Sequence, residues 1–289
     1  MKYSDDVLID FENNRMSIIE AYLEPVLEAE DVSSVDDASN KLKNTNKFRV
    51  MITKAIETLA GIISRFTLKC KNIFQNIMQT DTGFKSSARN AIVDNKPLEA
   101  IKLIAYDYDD SFIDNQLNRI SSEIIRLITS AKTSYVDQSN PDIVHELDMS
   151  EDKLYSIIFK KAGFSDVGNL STYFLKLKTG YRRQKKEILF KSSETEKYYH
   201  IALSKDILKK KIDEQQHIIS QQAATVKANL KNTINNNNTQ DYVKKRAMSQ
   251  FKNITHLFNF YTSFLNMYVQ LKIEKNLMYR TVLKKLYHF

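Results

Sequence analysis

Turn-forming residues are scarce in this chain: five glycines (Gly61, Gly83, Gly163, Gly168, Gly180) and three prolines (Pro25, Pro97, Pro141) serve 289 residues. Average usage is roughly 7% for glycine and 5% for proline. A strand-rich fold needs a tight turn every ~10 residues, and most such turns call for a residue that accepts positive φ or a pre-set one. Long helices are the economical alternative. The sequence therefore predicts an all-α fold, an extended helical bundle with long, partly coiled-coil-like helices, and the length suffices to bury a substantial core.

Apolar spacing places the helices. From Asp5 to Glu30, residues such as Val7, Leu8, Phe11, Ile18, Ile19, Tyr22 and Leu23 recur at intervals of three and four, which predicts an amphipathic helix with an acidic outer face, bent at Pro25. Residues 31–46 are small and polar and read as a linker. A second helix is predicted over 47–79, with Val50, Ile52, Ile56, Leu59, Ile62, Phe66 and Leu68 in a wide stripe. Its basic outer face admits a membrane-surface role, although a buried packing face is the commoner cause of such a stripe. Gly83 and the polar residues 80–87 predict a break, and Pro97 a short helix over 97–106. A further helix is expected over 110–135. Asp148 with Glu151 and Ser193 with Glu196 have capping-box spacing, which starts helices near Ser150 and Glu194. Gly163, Gly168 and Gly180 mark turns around a small segment, 169–178. Over 194–231, Leu208, Ile212, Ile219 and Val226 keep coiled-coil spacing with Gln215 and Gln222 in the seam, and residues 233–239 read as a loop. The last segment, 241–289, is apolar nearly all round and belongs at the centre of a bundle or in an oligomer interface. The expected divisions are an acidic leader helix and linker (1–46), an N-terminal helical region (47–137) and a basic C-terminal helical bundle (138–289).

Charge reverses along the chain. Residues 1–46 hold eleven acids against four bases, a net −7, and because the whole chain is +8 the remainder carries +15. Such asymmetry marks contact with a polyanion, or a segment that masks the surface making it. The densest basic stretch, 173–191, reads YFLKLKTGYRRQKKEILFK. Cations that neutralise phosphates, interleaved with rings that stack on bases, are what sequence-tolerant nucleic-acid binding requires. The candidate residues for non-specific nucleic-acid binding are Lys176, Lys178, Tyr181, Arg182, Arg183, Lys185 and Lys186. A set of solvated helix faces in a lysine-rich protein accounts for the same residues. Lys209-Lys210-Lys211 and Lys244-Lys245-Arg246 form two more basic clusters.

Little in the chain points to catalysis. Asp107, Asp109, Asp110 and Asp114 cluster as metal-binding carboxylates do, but Phe112 stands where an EF-hand needs its turn glycine and Asn118 where it needs its bidentate glutamate. Acids at a helix start also serve simply to complement its dipole. The five histidines have no ligand spacing, glycine is too scarce for a phosphate-binding loop, and the single cysteine, Cys70, reads as a small buried hydrophobe. No apolar run reaches the ~20 residues of a membrane span. The expectation is no enzyme, no cofactor and no metal.

Within the leader, Ile18-Ile19-Glu20 followed by Ala21 resembles the processing site, leucine or isoleucine, any residue, then glutamate before a small residue, cut by prohead proteases of T-even-like tailed phages. The chain in this respect resembles the internal head and prohead core proteins of those phages, whose leaders are removed after directing them into the assembling capsid. It departs from that pattern in that the acidic stretch continues past Ala21 to Asp37. The resemblance implies cleavage between Glu20 and Ala21, and a non-enzymatic virion structural protein of the capsid interior that contacts nucleic acid or other virion proteins and forms homo-oligomers. The alternative from another class is a nucleic-acid-binding or regulatory helical protein of the host cytoplasm.

Overall fold

The computed structural model describes residues 37–134, 145–203, 205–235 and 241–289. The leader helix, its bend at Pro25, the Glu20–Ala21 site and residues 236–239 of the expected asparagine-rich loop lie outside the described residues, as does the side chain of Cys70. The described residues are 80% helical. In chain order they form α1 (Asp37–Asp94), β1 (Ala100–Tyr108), α2 (Asp110–Ser134), α3 (Glu151–Lys161), α4 (Leu170–Tyr181), β2 (Arg182–Lys191), α5 (Thr195–Ala202), α6 (Lys205–Asn235) and α7 (Asp241–Tyr287).

Helix α7 is the axis of the molecule. Its apolar circumference predicts burial on all sides, and Phe251, Phe258, Phe260, Tyr261, Phe264, Leu265 and Tyr268 are each sealed from solvent. Around them pack Ile113, Leu117, Ile120 and Ile124 of α2, Leu154, Ile158 and Phe159 of α3, Tyr173 and Leu177 of α4, and the α6 seam residues Leu208, Ile212, Ile219 and Val226. The polar seam is satisfied within the bundle, since Gln215 Oε1 accepts from Ser121 Oγ at 3.0 Å and also from the Tyr261 hydroxyl. Ile56 and Leu59 of α1 join the same core, so side chains from 47–137 and 138–289 share one interior. A second apolar cluster lies at the far end of α7, where Val282, Leu283 and Leu286 meet Phe84, Ala88 and Ala91 of α1, Phe190 of β2 and Tyr198 of α5.

Several sequence expectations change. Helix α1 begins at Asp37 and runs unbroken to Asp94, so it absorbs the second half of the expected linker and the break expected at 80–87. One glycine in a helix costs only about 1 kcal/mol, and Phe84, Ala88 and Ala91, buried against α7, offset it. Val50 and Leu68, expected in the stripe, are more than half exposed. Pro97 does not open a helix: residues 100–108 are a strand that pairs antiparallel with 182–191. Ile101, Leu103 and Ala105 alternate inward while Lys102 and Ile104 face out, a period of two that a short apolar run does not announce. Helix α4 runs through Gly180 to Tyr181. A Cβ at Gly180 would lie 2.5 Å from the Phe112 ring, so the glycine is there for close approach rather than for a turn. The helix expected over 194–231 is divided into α5 and α6.

Candidate nucleic-acid interface

The ribbon decides what the basic stretch can do. Helix α4 passes into β2 without a loop, and the backbone N–H of Asp109 donates to Tyr181 O at 2.9 Å, joining the start of α2 to the end of α4. The register then sets Tyr106 opposite Lys185 and Tyr108 opposite Arg182, with an irregularity between them. As a result the acidic string 107–110 and the basic string 182–186 lie side by side. Lys186 Nζ is 3.1 Å from Asp107, Arg183 pairs with Asp109, and farther along the ribbon Lys102 Nζ is 3.1 Å from Glu187. Arg182 pairs with Glu274 of α7, which also accepts from the Tyr108 hydroxyl at 2.8 Å. Lys176 meets Asp166 at 2.5 Å.

Beneath the ribbon, Lys272 is the hub. Its Nζ lies 2.8 Å from Asp110 and 3.1 Å from Asp114, and 5.9 Å and 5.6 Å from the ring centroids of Tyr181 and Tyr268. Lys275 pairs with Asp110, Lys211 reaches Asp114 at 3.1 Å, and the Tyr268 hydroxyl donates to Asp114 at 2.7 Å. Burial opposes ionisation of Asp110 and Asp114. The hydrogen bonds and charges of Lys272 and Lys275 on the first, and the Tyr268 hydroxyl with Lys272 and Lys211 on the second, outweigh it and hold both carboxyls below the ordinary range. Burial, reinforced by the adjacent carboxylates, raises the phenols of Tyr108, Tyr181 and Tyr268. Asp109 is held low first by the Phe112 backbone N–H and then by Arg183. The carboxylates that suggested a metal site are thus engaged by cations of the chain itself.

Of the seven predicted nucleic-acid contacts, Tyr181 is fully buried, and so are the nearby rings of Tyr173 and Phe174; none of them is open to stack on a base. Tyr173 instead stacks on Phe159 at 4.4 Å. Lys176, Arg182, Arg183 and Lys186 are ion-paired, and Lys185 lies over the Tyr106 ring at 5.8 Å. Lys178 is half-buried on α4. In the third cluster, Arg246 pairs at 2.5 Å with Asp148, which also accepts from Gln250. Arg183, Lys185 and Lys186 are exposed, and so are lysines on helix faces: Lys160 and Lys161 on α3, and Lys209, Lys210, Lys227 and Lys231 on α6.

Sequence reasoning missed Lys272, Glu274 and Lys275. The available signal was three charges in four residues, 272–275, directly after the stretch 253–271 that holds no acid, lysine or arginine, a pattern that calls for buried partners. Among the described residues no helix is long and apolar enough to cross a membrane. No protein family, curated protein or solved structure matches the chain.

Proposed function

We propose that this chain is a non-enzymatic structural protein of a larger assembly, held against a polyanion by the cations on its helix faces. Its specific form is an internal head or core protein of a tailed phage. The observation that supports it is the spread of exposed positive charge over the helix faces: Lys160, Lys161, Lys209 and Lys210 project to solvent, while the rings of the basic stretch are buried and Arg182 is held in a mostly buried pair with Glu274. Long helices packed around α7 suit a spacer or scaffold, and exposed lysines on helix faces present point charges to phosphates without sequence readout.

The test is retention of duplex DNA against salt. Each phosphate contact contributes about −0.9 to the slope of log affinity against log salt. Reversing Lys160, Lys161, Lys209 and Lys210 to glutamate should weaken retention at low salt and flatten that slope, with helicity unchanged. Unchanged retention and slope would reject the helix faces as the contact. For the phage form, peptide mapping of the protein from its natural source should show chains starting at Ala21; intact Glu20–Ala21 bonds in assembled particles would remove that form.

A further inference from the structure

An open cleft of about 660 Å³ lies where β1 meets the end of α7. Its apolar lining is Leu98, Ile101, Leu103 and Phe289, and its polar lining is Lys102, Lys284, Lys285 and His288. The two lysines of α7 are exposed and have no ion-pair partner among the described residues. Among the described residues Lys102 is engaged only by Glu187, in a pair more than half exposed on both sides, which water and other carboxylates readily exchange. An apolar floor under a basic rim fits an acidic amphipathic segment: carboxylates to the rim, aliphatic and aromatic side chains to the floor.

This chain carries such a segment. Residues 5–30 hold eight acids against one base, with Val7, Leu8, Phe11, Ile18, Ile19, Tyr22 and Leu23 recurring at intervals of three and four. Geometry determines whose segment it is. The cleft is fixed to the C-terminal end of α1, where Asn95 Nδ2 donates to Tyr287 O at 2.8 Å and the Leu98 N–H to Leu286 O at 2.9 Å. The N-terminal segment joins α1 at the opposite end, and a helix of 58 residues spans about 85 Å at 1.5 Å per residue. Residues 31–36 bridge at most about 20 Å even when fully extended. As the amphipathic helix that its apolar spacing predicts, segment 5–30 adds about 40 Å. Its far end therefore stays about 60 Å from the start of α1 at most and falls short of the chain's own cleft, whereas the segment can lie in the cleft of a second copy.

We propose that copies of this chain associate head to tail, the acidic segment 5–30 of one occupying the basic-rimmed cleft between β1 and α7 of the next. The contact is heterologous, so repetition gives a ring where the rotation closes and an open filament where it does not. Most of its attraction is between exposed charges, so it weakens as the Debye length falls from about 10 Å at 0.1 M salt to about 3 Å at 1 M.

The experiment uses the full chain, without nucleic acid, which keeps its outcome independent of the polyanion reading above. Sedimentation velocity should show oligomers in low salt that dissociate as salt rises. A cleft variant (Lys102→Glu, Lys284→Glu, Lys285→Glu) and a segment variant (Glu12→Lys, Glu20→Lys, Glu24→Lys) should each stay monomeric, with association weakened at least tenfold. Mixing the two should restore hetero-oligomers, because each reversed surface then meets its complement. All six substitutions alter exposed or undescribed side chains, and circular dichroism checks that helicity is kept. A monomeric wild-type chain, association indifferent to the cleft variant, or no recovery on mixing would each overturn the proposal.

Discussion

At the scale of single residues, Lys272 carries the most consequence. It is mostly buried, touches two carboxylates and lies near two tyrosine rings, so Lys272→Met removes several charge-assisted contacts while leaving Lys275 on Asp110 and Lys211 on Asp114. The expected loss is about 2 kcal/mol, read as a lower urea midpoint at unchanged m-value. The same cluster sets a pH dependence. Asp110 and Asp114 have folded pKa values below their unfolded ones, so their stabilisation is complete above the unfolded value, about 4, and is lost as pH falls through the folded value. The double variant Asp110→Asn, Asp114→Asn should therefore be less stable than wild type at pH 7 and converge on it in acid; parallel curves would show that these carboxylates contribute nothing by ionising. Gly180 offers a steric test. Gly180→Ala pushes a methyl into the Phe112 ring and should cost about 1–3 kcal/mol, and Phe112→Leu in the same chain should cost less than the sum of the two changes.

At the scale of elements, the continuity of α1 and the β1–β2 ribbon are the features most at odds with local sequence signals. Gly83 lies inside α1 with nothing within 4 Å of the position its Cβ would take. Gly83→Ala should consequently stabilise the protein by up to about 1 kcal/mol, because a helical site gains from the lower entropy of the unfolded chain. A loss of stability, measured by thermal or urea unfolding, would restore the break that the polar residues around Gly83 suggest. The ribbon was illegible for a different reason. A strand pair is stabilised by its partner, and here the partner lies far along the chain, beyond three helices. Taken alone, Pro97 followed by a few aliphatic residues fits a helix start as well as a strand.

At the scale of the molecule, α7 connects two apolar clusters through a charged waist. Its residues up to Leu271 belong to the main core, those from Val282 to the second, and Lys272, Glu274 and Lys275 reach the ribbon and α2 between them. Phe260 lies in the aromatic centre of the main core beside Tyr155, Phe159, Tyr173 and Phe174, and Phe260→Ala should cost about 3–5 kcal/mol of stability by leaving a cavity there. A much smaller loss would mean that this centre is loosely packed. The sequence by itself determined that the fold is mostly helical, that α2, α3 and α7 lie where they do, and that α7 is buried, because scarcity of turn residues and apolar periodicity are local properties that each helix expresses by itself. That α7 is buried at the centre of one chain rather than in an interface is read from the packing around it. Tertiary structure alone decided the fate of the charges. Whether a lysine faces solvent or a carboxylate depends on which distant segment is laid beside it, and the pairing of 100–108 with 182–191 set the acidic string against the basic one. It also withdrew Tyr173, Phe174 and Tyr181 into the core, since a ring at helical spacing beside lysines looks the same in sequence whether its face meets a nucleobase or Phe159.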